Sequence, residues 1–170
     1  MPKIIEDVRR TLLAEARRQL AEKGYARATI RSVAGACGLA VGTVYNYFPS
    51  KDMLIASFMA EDWMKSLSRI DGCATQDSKA LLRGIYRELR EFSEQYSALF
   101  ADEEAVKAFS AVFTKRHKML RDQLAGRILP VCRGENREFL AEFAAEALLI
   151  WTTAGKSFEE IYAVLERILA

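Results

Sequence analysis

One short segment between Gly38 and Pro49 carries the polar groups best suited to chemistry in this chain. In a helix, where successive residues are rotated by about 100°, the apolar side chains of this segment fall on one face. The opposite face offers a small residue, a hydroxyl, an amide and a phenol. An amide can bond adenine at two positions, a threonine methyl can contact that of thymine, and a phenol can reach a base or a phosphate. The pattern therefore predicts a helix that reads the major groove of duplex DNA. The anchoring residues are Val41, Val44 and Phe48, and the free face carries Gly42, Thr43, Asn46 and Tyr47.

Three residues around this face are candidates for contacts with phosphate or guanine. Tyr45 lies nearer the apolar arc, so we expect its ring to pack while its hydroxyl reaches a phosphate oxygen. Lys51, at the start of the next helix, is placed for another phosphate. Arg31, in the first turn of the preceding helix, could bind a phosphate or both acceptors of guanine. The alternative for Arg31 is an ordinary solvated arginine at a helix start.

Three helices must position the face. Apolar residues in the segment 5–20 occupy one arc of about 140°, which predicts an amphipathic helix. Thr29 can cap a second helix that continues through Cys37. The helical pattern then resumes over about 40–48 and restarts at Ser50, an N-cap residue. Two short helices with a tight turn, braced by a longer one, predict a helix-turn-helix. The breaks between helices fall at Gly24, Gly38 and Pro49.

The rest of the chain also predicts helices: a long one from Ser50, and others over about 77–100, 102–129 and 135–154. Ser157 and Glu160 form a capping box for a last helix. The stripe of helix 135–154 approaches 180°, which predicts packing on two sides. We expect an all-α fold of about nine helices. The stripe residues of the last two helices are Phe139, Phe143, Ala147, Ile150, Trp151, Ile161, Val164, Leu165 and Ile168.

Composition and charge narrow the class of protein. The chain has 170 residues, 51% of them hydrophobic and 28% charged, with only three prolines, which excludes disordered and disulfide-scaffold proteins. Three scattered cysteines and one histidine favour reduced cytosolic thiols over a metal site. Residues 1–60, the N-terminal head, contain nine Lys or Arg against five Asp or Glu. This excess of positive charge could bind a polyanion, or it could be ordinary solvated surface. Without a run of about 20 apolar residues or a signal peptide, we expect no membrane partner and a cytoplasmic location.

The segment GYARATIRSVAGACGLAVGTVYNYFPSKDML resembles the DNA-binding signature of the tetracycline-repressor (TetR) family of bacterial transcription regulators. The resemblance covers about residues 9–58. It implies a DNA-binding domain at residues 1–49 and a regulatory and dimerisation domain at 50–170, joined by the helix from Ser50. It also implies that helix 40–48 is the recognition helix, with Thr43, Asn46 and Tyr47 at bases or phosphates and Tyr45 and Lys51 on the backbone.

The resemblance further implies a homodimer that pairs its last two helices and binds a palindromic operator. Pairing has a physical reason, because one short helix contacts too few bases to select a site in a genome. The family's body also binds a small molecule that releases DNA, although this chain is short for the family and its cavity could be small or absent. Polar or aromatic residues on apolar stripes are candidates to line such a pocket, or else they belong to the core: Asp62, Ser66, Phe92, Tyr96, Phe109, Phe113 and His117.

Other functions remain as alternatives. An enzyme is disfavoured by the single histidine and by the lack of a nucleotide loop or metal cluster, and no cofactor is expected. A helical dimeric adaptor could use the same head on a protein partner, or bind DNA without any effector. Cys37 could sense oxidants, but a small apolar role is favoured. The sequence therefore predicts a DNA-binding transcriptional regulator, by family default a repressor released by a small hydrophobic effector.

Overall fold

The computed structural model describes residues 6–73 and 77–169. For residue 6 and residues 110–115 it describes the backbone and not the side chains. The described residues form nine α-helices and one short 3-10 turn, without a strand in the described ranges, as the all-α prediction requires. The helices are α1 Glu6–Lys23, α2 Ile30–Ala36, α3 Val41–Tyr47, α4 Lys51–Gly72, α5 Ser78–Gln95, α6 Ser97–Phe100, α7 Glu103–Ile128, α8 Arg137–Thr153 and α9 Phe158–Leu169, with the 3-10 turn at Leu129–Val131.

The chain divides into two compact units. Unit 1 comprises Met1–Trp63 and Ser97–Ser110, and unit 2 comprises Met64–Tyr96 and Ala111–Ala170. Helices α4 and α7 each contribute residues to both units. The domain boundary expected between residues 49 and 50 stays a prediction.

Unit 1 contains the three predicted helices α1, α2 and α3, the first part of α4, helix α6 and the start of α7. Its apolar stripes meet in a core that excludes water almost completely, with Leu12, Val44 and Phe58 fully buried. The Thr29 hydroxyl accepts the backbone N–H of Ser32 at 3.0 Å, so the predicted cap of α2 is present. The Ser50 hydroxyl likewise accepts the N–H of Met53 at 3.1 Å and caps α4.

Ion pairs join α1 to α4 within unit 1. Arg9 binds Glu61 at 2.6 Å, and Arg17 binds Asp62, whose side chain is almost buried. The Arg17 guanidinium also lies 5.0 Å from the centre of the Phe58 ring. A carboxylate this deep would be strongly destabilising without its partner, so these contacts hold α1 at a fixed position along α4.

Unit 2 contains the rest of α4, most of α7, the 3-10 turn and helices α5, α8 and α9. Its core includes Ile70, Leu82, Ile85, Leu124 and Leu148, all of them at most 1% exposed. The predicted capping box of α9 is formed, since the Ser157 hydroxyl accepts the Glu160 N–H and the Glu160 carboxylate accepts the Ser157 N–H. The Lys156 ammonium, together with the bonds from Ser157, lowers the pKa of Glu160 to about 2.

The helix predicted over 77–100 is two helices, which corrects the sequence interpretation. Tyr96 leaves helical geometry, with φ −107° and ψ 13°, and α6 begins at the next residue. The Tyr96 side chain is buried, and its ring centre lies 4.8 Å from that of Phe92. Because neither glycine nor proline occurs near this break, hydrophobic periodicity alone could not locate it.

Two further observations concern the whole described chain. None of its helices is long and apolar enough to cross a membrane. All three cysteines are free, with Cys132 buried, Cys37 half-buried and Cys73 exposed. Burial raises the pKa of the Cys37 thiol, which disfavours the reactive thiolate and agrees with the apolar role expected for it.

Candidate nucleic-acid interface

Apolar side chains on the inner side of α3 anchor this helix in the core of unit 1. Val44 is completely buried and Phe48, at the C-cap, is 2% exposed, so both anchor α3 as the sequence predicts. Val41, the third predicted anchor, is only half-buried. The Arg9 guanidinium lies 5.6 Å from the centre of the Phe48 ring and closes the core at the end of α3.

The turn between α2 and α3 fixes the direction of α3. Gly38 has φ +66°, a left-handed conformation in which side chains other than glycine are strained. The Leu39 N–H bonds the Ala34 carbonyl at 2.9 Å, and the Gly38 N–H bonds that of Gly35 at 3.2 Å. The two carbonyls at the end of α2 are thereby satisfied, and α3 starts two residues later at a defined angle.

The outer face of α3 differs in one respect from the sequence interpretation. Gly42, Asn46 and Tyr45 are exposed, whereas Thr43 and Tyr47 are half-buried. The expectation that the Tyr45 ring packs is wrong, because this residue is 51% exposed. The side of α3 next to Val41 is not fully covered, so the inward arc is narrower than periodicity suggests. About half of the Tyr45 surface is therefore exposed to solvent beside Asn46.

The two flanking cations have different surroundings. Arg31 is exposed in the first turn of α2 and makes no hydrogen bond or ion pair with a described residue. The Lys51 ammonium donates to the Tyr25 carbonyl at 3.0 Å and lies 3.5 Å from the centre of the Tyr25 ring. Desolvation lowers the pKa of Lys51, against the opposing effect of Asp52 and other acids nearby. One of its three donors is thus engaged within the chain, and its phosphate contact stays a prediction.

We expect Arg31→Gln to reduce the salt dependence of DNA binding. Each phosphate contact contributes about 0.9 to the slope of log affinity against log salt, so a dimer should lose about two units of slope. Titrations of wild type and variant between 50 and 200 mM salt, about the range over which such slopes are measured, would show this. Arg10→Gln is the matched control, since Arg10 is exposed and paired with Asp7. An unchanged slope for Arg31→Gln would favour the solvated arginine.

A buried amide positions the start of α2, and the sequence interpretation missed it. Gln19 is 1% exposed and donates to the Ser32 carbonyl at 3.1 Å and to Glu15 at 2.7 Å. The Ser32 hydroxyl donates back to the Gln19 amide oxygen at 2.6 Å, while the same hydroxyl takes part in the cap with Thr29. The sequence does contain an indication that Gln19 is buried, because Gln19 interrupts the apolar stripe that contains Leu12 and Ala16.

Gln19→Leu should destabilise the chain by about 1–3 kcal/mol, because the Ser32 carbonyl and the Glu15 carboxylate lose a donor in a buried place. Urea unfolding followed by circular dichroism would measure this change. Arg10→Leu, at an exposed site of the same helix, should change stability by less than about 0.5 kcal/mol. Equal stability of Gln19→Leu and wild type would show that the buried bonds contribute nothing net.

The corner after α3 is braced by Tyr25. Its hydroxyl donates to the Asp52 carboxylate at 2.5 Å, and its ring meets that of Phe109 edge to face with centres 6.1 Å apart. Burial and the Asp52 carboxylate raise the pKa of Tyr25 well above its usual value. Together with the Lys51 contact, these bonds fix the segment that joins α3 to α4.

A second surface in unit 2 is exposed and apolar. On α8 and α9, the large side chains of Phe139, Trp151 and Val164 are 66%, 50% and 59% exposed. Phe143 and Ile150 are exposed beside them, and Ala147 and Ile168 are half-buried. Aliphatic and aromatic side chains so exposed in one region mark an interaction surface.

Two of the residues predicted on this surface belong to the protomer's own core. Leu165 is 1% and Ile161 is 5% exposed, because α9 packs against α8 and α5. They form the base of a surface groove of about 390 Å³ whose walls include Phe143, Trp151 and Val164. Lys156 and Glu160 lie at the edge of the groove and pair with each other at 2.9 Å.

The residues predicted for a ligand pocket fall in both units. In unit 1, Asp62 is bound by Arg17, and Phe109 is 1% exposed against Tyr25. In unit 2, Ser66 is buried and accepts a bond from Arg69, and Phe92 packs against Tyr96. His117 is exposed, with its Nε2 2.8 Å from Glu146. The Phe113 side chain lies outside the described residues. The ligand-binding role of all seven stays a prediction.

Arg69 also binds Glu88, a carboxylate 1% exposed on α5, at 2.6 Å. Arg69 is itself exposed, and it joins the buried Ser66 and Glu88 in a polar cluster between α4 and α5 of unit 2. The sequence interpretation did not identify Glu88. Among the described residues, no group of three or more histidines, cysteines or acids could hold a metal ion.

Comparison with known proteins agrees with the geometry of unit 1. Residues 12–58 match the family model of bacterial regulatory proteins of the tetR family. An HTH-type transcriptional repressor of Mycobacterium tuberculosis is 33% identical over 103 residues, which are 58% of this chain and 51% of that protein. The chain thus covers only about half the length of this relative.

Two solved structures share the fold along nearly the whole chain. The TetR-family repressor FadR of Thermus thermophilus, in complex with lauroyl-CoA, gives a TM-score of 0.63 at 19% identity, covering 95% of this chain and 92% of that one. A TetR transcription regulator of Haloarcula marismortui gives 0.58 at 22% identity, covering 96% and 95%. The segment 12–58 is thus similar in sequence to bacterial regulatory proteins of the tetR family, and the described helices share the fold of the two regulator structures.

Proposed function

We propose that this chain is a sequence-specific DNA-binding transcriptional regulator, acting as a repressor on a palindromic operator. The observation that carries the proposal is the outer face of α3, where Gly42, Tyr45 and Asn46 are exposed while Val44 and Phe48 hold the helix from behind. Such a face can lie in the major groove and bond base edges. The family match over residues 12–58 supports this role for the same helix.

The proposed active form is a homodimer that pairs α8 and α9. The exposed Phe139, Phe143, Trp151 and Val164 support it, because a soluble protein seldom leaves such side chains in water unless a partner covers them. A two-fold dimer would set two α3 helices against one face of DNA, about one helical turn or a multiple of it apart. Two linked heads would then read both halves of a palindrome.

Selection of bound sequences from random duplex DNA tests this function. We expect two inverted half-sites at a fixed spacing of about 10 base pairs or a multiple of it. Binding to the selected duplex should weaken steeply with salt, as counterions compete for the phosphates. Failure to enrich any duplex at low ionic strength would reject the proposal and favour a helical adaptor that binds a protein partner.

The finer proposal is release from DNA by a small hydrophobic effector. It is supported by the lauroyl-CoA bound to the FadR structure that shares this fold. Such an effector must bind the conformation that does not bind DNA more tightly, since only a difference in affinity shifts the equilibrium. A thermal-shift screen of acyl-CoAs and other hydrophobic compounds, followed by DNA release, tests it. If none of them stabilises the protein or releases DNA, the regulator acts without this class of effector.

A further inference from the structure

No contact or backbone angle inside the chain requires glycine at position 42. Gly42 is the second residue of α3, it is exposed, and its φ lies outside the left-handed region that requires glycine. A Cβ added to it would meet no heavy atom within 4 Å. Alanine would therefore fit this position without strain or collision.

Alanine would also suit α3 better. Glycine is the least favourable residue in a helix apart from proline, because the unfolded chain has more freedom to lose. Helix α3 has only seven residues, and its N-cap, Ala40, makes no side-chain cap bond. A glycine in so short a helix lowers the stability of the element that presents the candidate interface.

The position of Gly42 on α3 suggests what it provides. Gly42 and Asn46 are four residues apart and so lie on the same side of the helix. Both are exposed, and neither Val44 nor Phe48 reaches this side. Because Gly42 has no side chain, the outer face of α3 carries no Cβ one helical turn before Asn46. The asparagine side chain is short, so its reach towards a partner depends on how closely the backbone approaches.

We propose that Gly42 is a specificity-determining residue, whose missing side chain lets α3 approach the base edges closely enough for Asn46 to bond them. This inference rests on the proposed function and adds a steric requirement to it. A methyl group at position 42 would touch the bases first and hold Asn46 beyond the hydrogen-bond distance of about 2.9 Å. Contacts to phosphate, which do not read sequence, would be affected much less.

Gly42→Ala in the full-length protein tests the inference with two readouts of opposite sign. The melting temperature should rise by about 1–4 °C, since alanine favours the helix. Affinity for the duplex selected by wild type should fall at least about tenfold, and affinity for a scrambled duplex should stay within about twofold. Fluorescence anisotropy at one salt concentration would measure both affinities.

Gly126→Ala is the matched control. Gly126 is also exposed within a long helix, α7, and an added Cβ there also meets nothing within 4 Å. Gly126 belongs to unit 2, whereas α3 belongs to unit 1. This variant should gain a similar thermal stability and keep wild-type affinity for the selected duplex.

The outcomes separate this inference from the function on which it rests. Loss of affinity for the selected duplex alone, together with a raised melting temperature, supports the role of Gly42. Wild-type affinity in Gly42→Ala would overturn that role and leave the proposed function intact. An equal loss on selected and scrambled DNA, or a lowered melting temperature, would also overturn it. A wild-type protein that selects no duplex would remove the proposed function itself.

Discussion

Asn46→Ala is expected to lower affinity for the selected operator by about 30-fold to 10⁴-fold. A bidentate contact between an amide and adenine discriminates by about 1–3 kcal/mol, and a dimer makes the contact twice. Asn46 is exposed in the last turn of α3, and α3 is anchored by Val44 and Phe48, which the substitution leaves in place. The loss should therefore fall on binding and not on folding.

Competition binding with the selected duplex, with single-base variants of it and with scrambled DNA would measure this effect. The variant should lose its preference at the base pair that Asn46 reads and keep its affinity for scrambled DNA, since phosphate contacts remain. Asn136→Ala is the control, because Asn136 is an exposed asparagine whose side chain makes no cap bond at the start of α8. If Asn46→Ala kept the affinity and the base preference of wild type, α3 would not read DNA through this amide.

Trp151→Arg should convert the proposed dimer to a monomer and weaken binding to the proposed operator in the same variant. Trp151 is 50% exposed and lines the groove on α8 and α9 next to Phe143 and Val164. Covering half of a tryptophan contributes roughly 1–2 kcal/mol to association, and two-fold symmetry doubles the contribution. Burying an arginine there instead would add a desolvation penalty on both protomers.

Sedimentation velocity and operator binding, measured on the same preparations, would test this prediction. A single head contacts half of the palindrome, so specific affinity should fall by orders of magnitude when the dimer dissociates. Met64→Arg is the control, since Met64 is 56% exposed on α4 and receives the same substitution. A dimer of Trp151→Arg with unchanged operator affinity would remove Trp151 from the interface.

Local features of the chain were predictable because local physics produces them. Thr29, Ser50 and Ser157 cap their helices through bonds to residues within three positions, and such bonds are visible in sequence spacing. The turn at Gly38 follows from its left-handed conformation. The anchoring role of Val44 and Phe48 follows from helical periodicity.

Contacts between distant segments were not predictable in this way. Gln19 meets Ser32 across 13 positions, and Lys51 meets the Tyr25 carbonyl across 26. The position of a lysine or glutamine in the sequence does not reveal whether its side-chain polar atoms face solvent or a backbone group in a distant segment. Ile161 and Leu165 share an apolar stripe with Val164, but only the tertiary structure shows that the first two are buried while Val164 is exposed.

The sequence alone determined an all-helical chain with a helix-turn-helix head, an outward polar face at Asn46 and an unusually apolar penultimate helix. These features depend on periodicity, caps and glycine turns within a few residues of each other. The tertiary structure decided that Tyr45 is exposed, that Tyr96 separates α5 from α6, and that the pocket candidates fall in both units. The reason is physical: exposure and pairing depend on which neighbouring elements cover a side chain, and those neighbours are distant in the sequence.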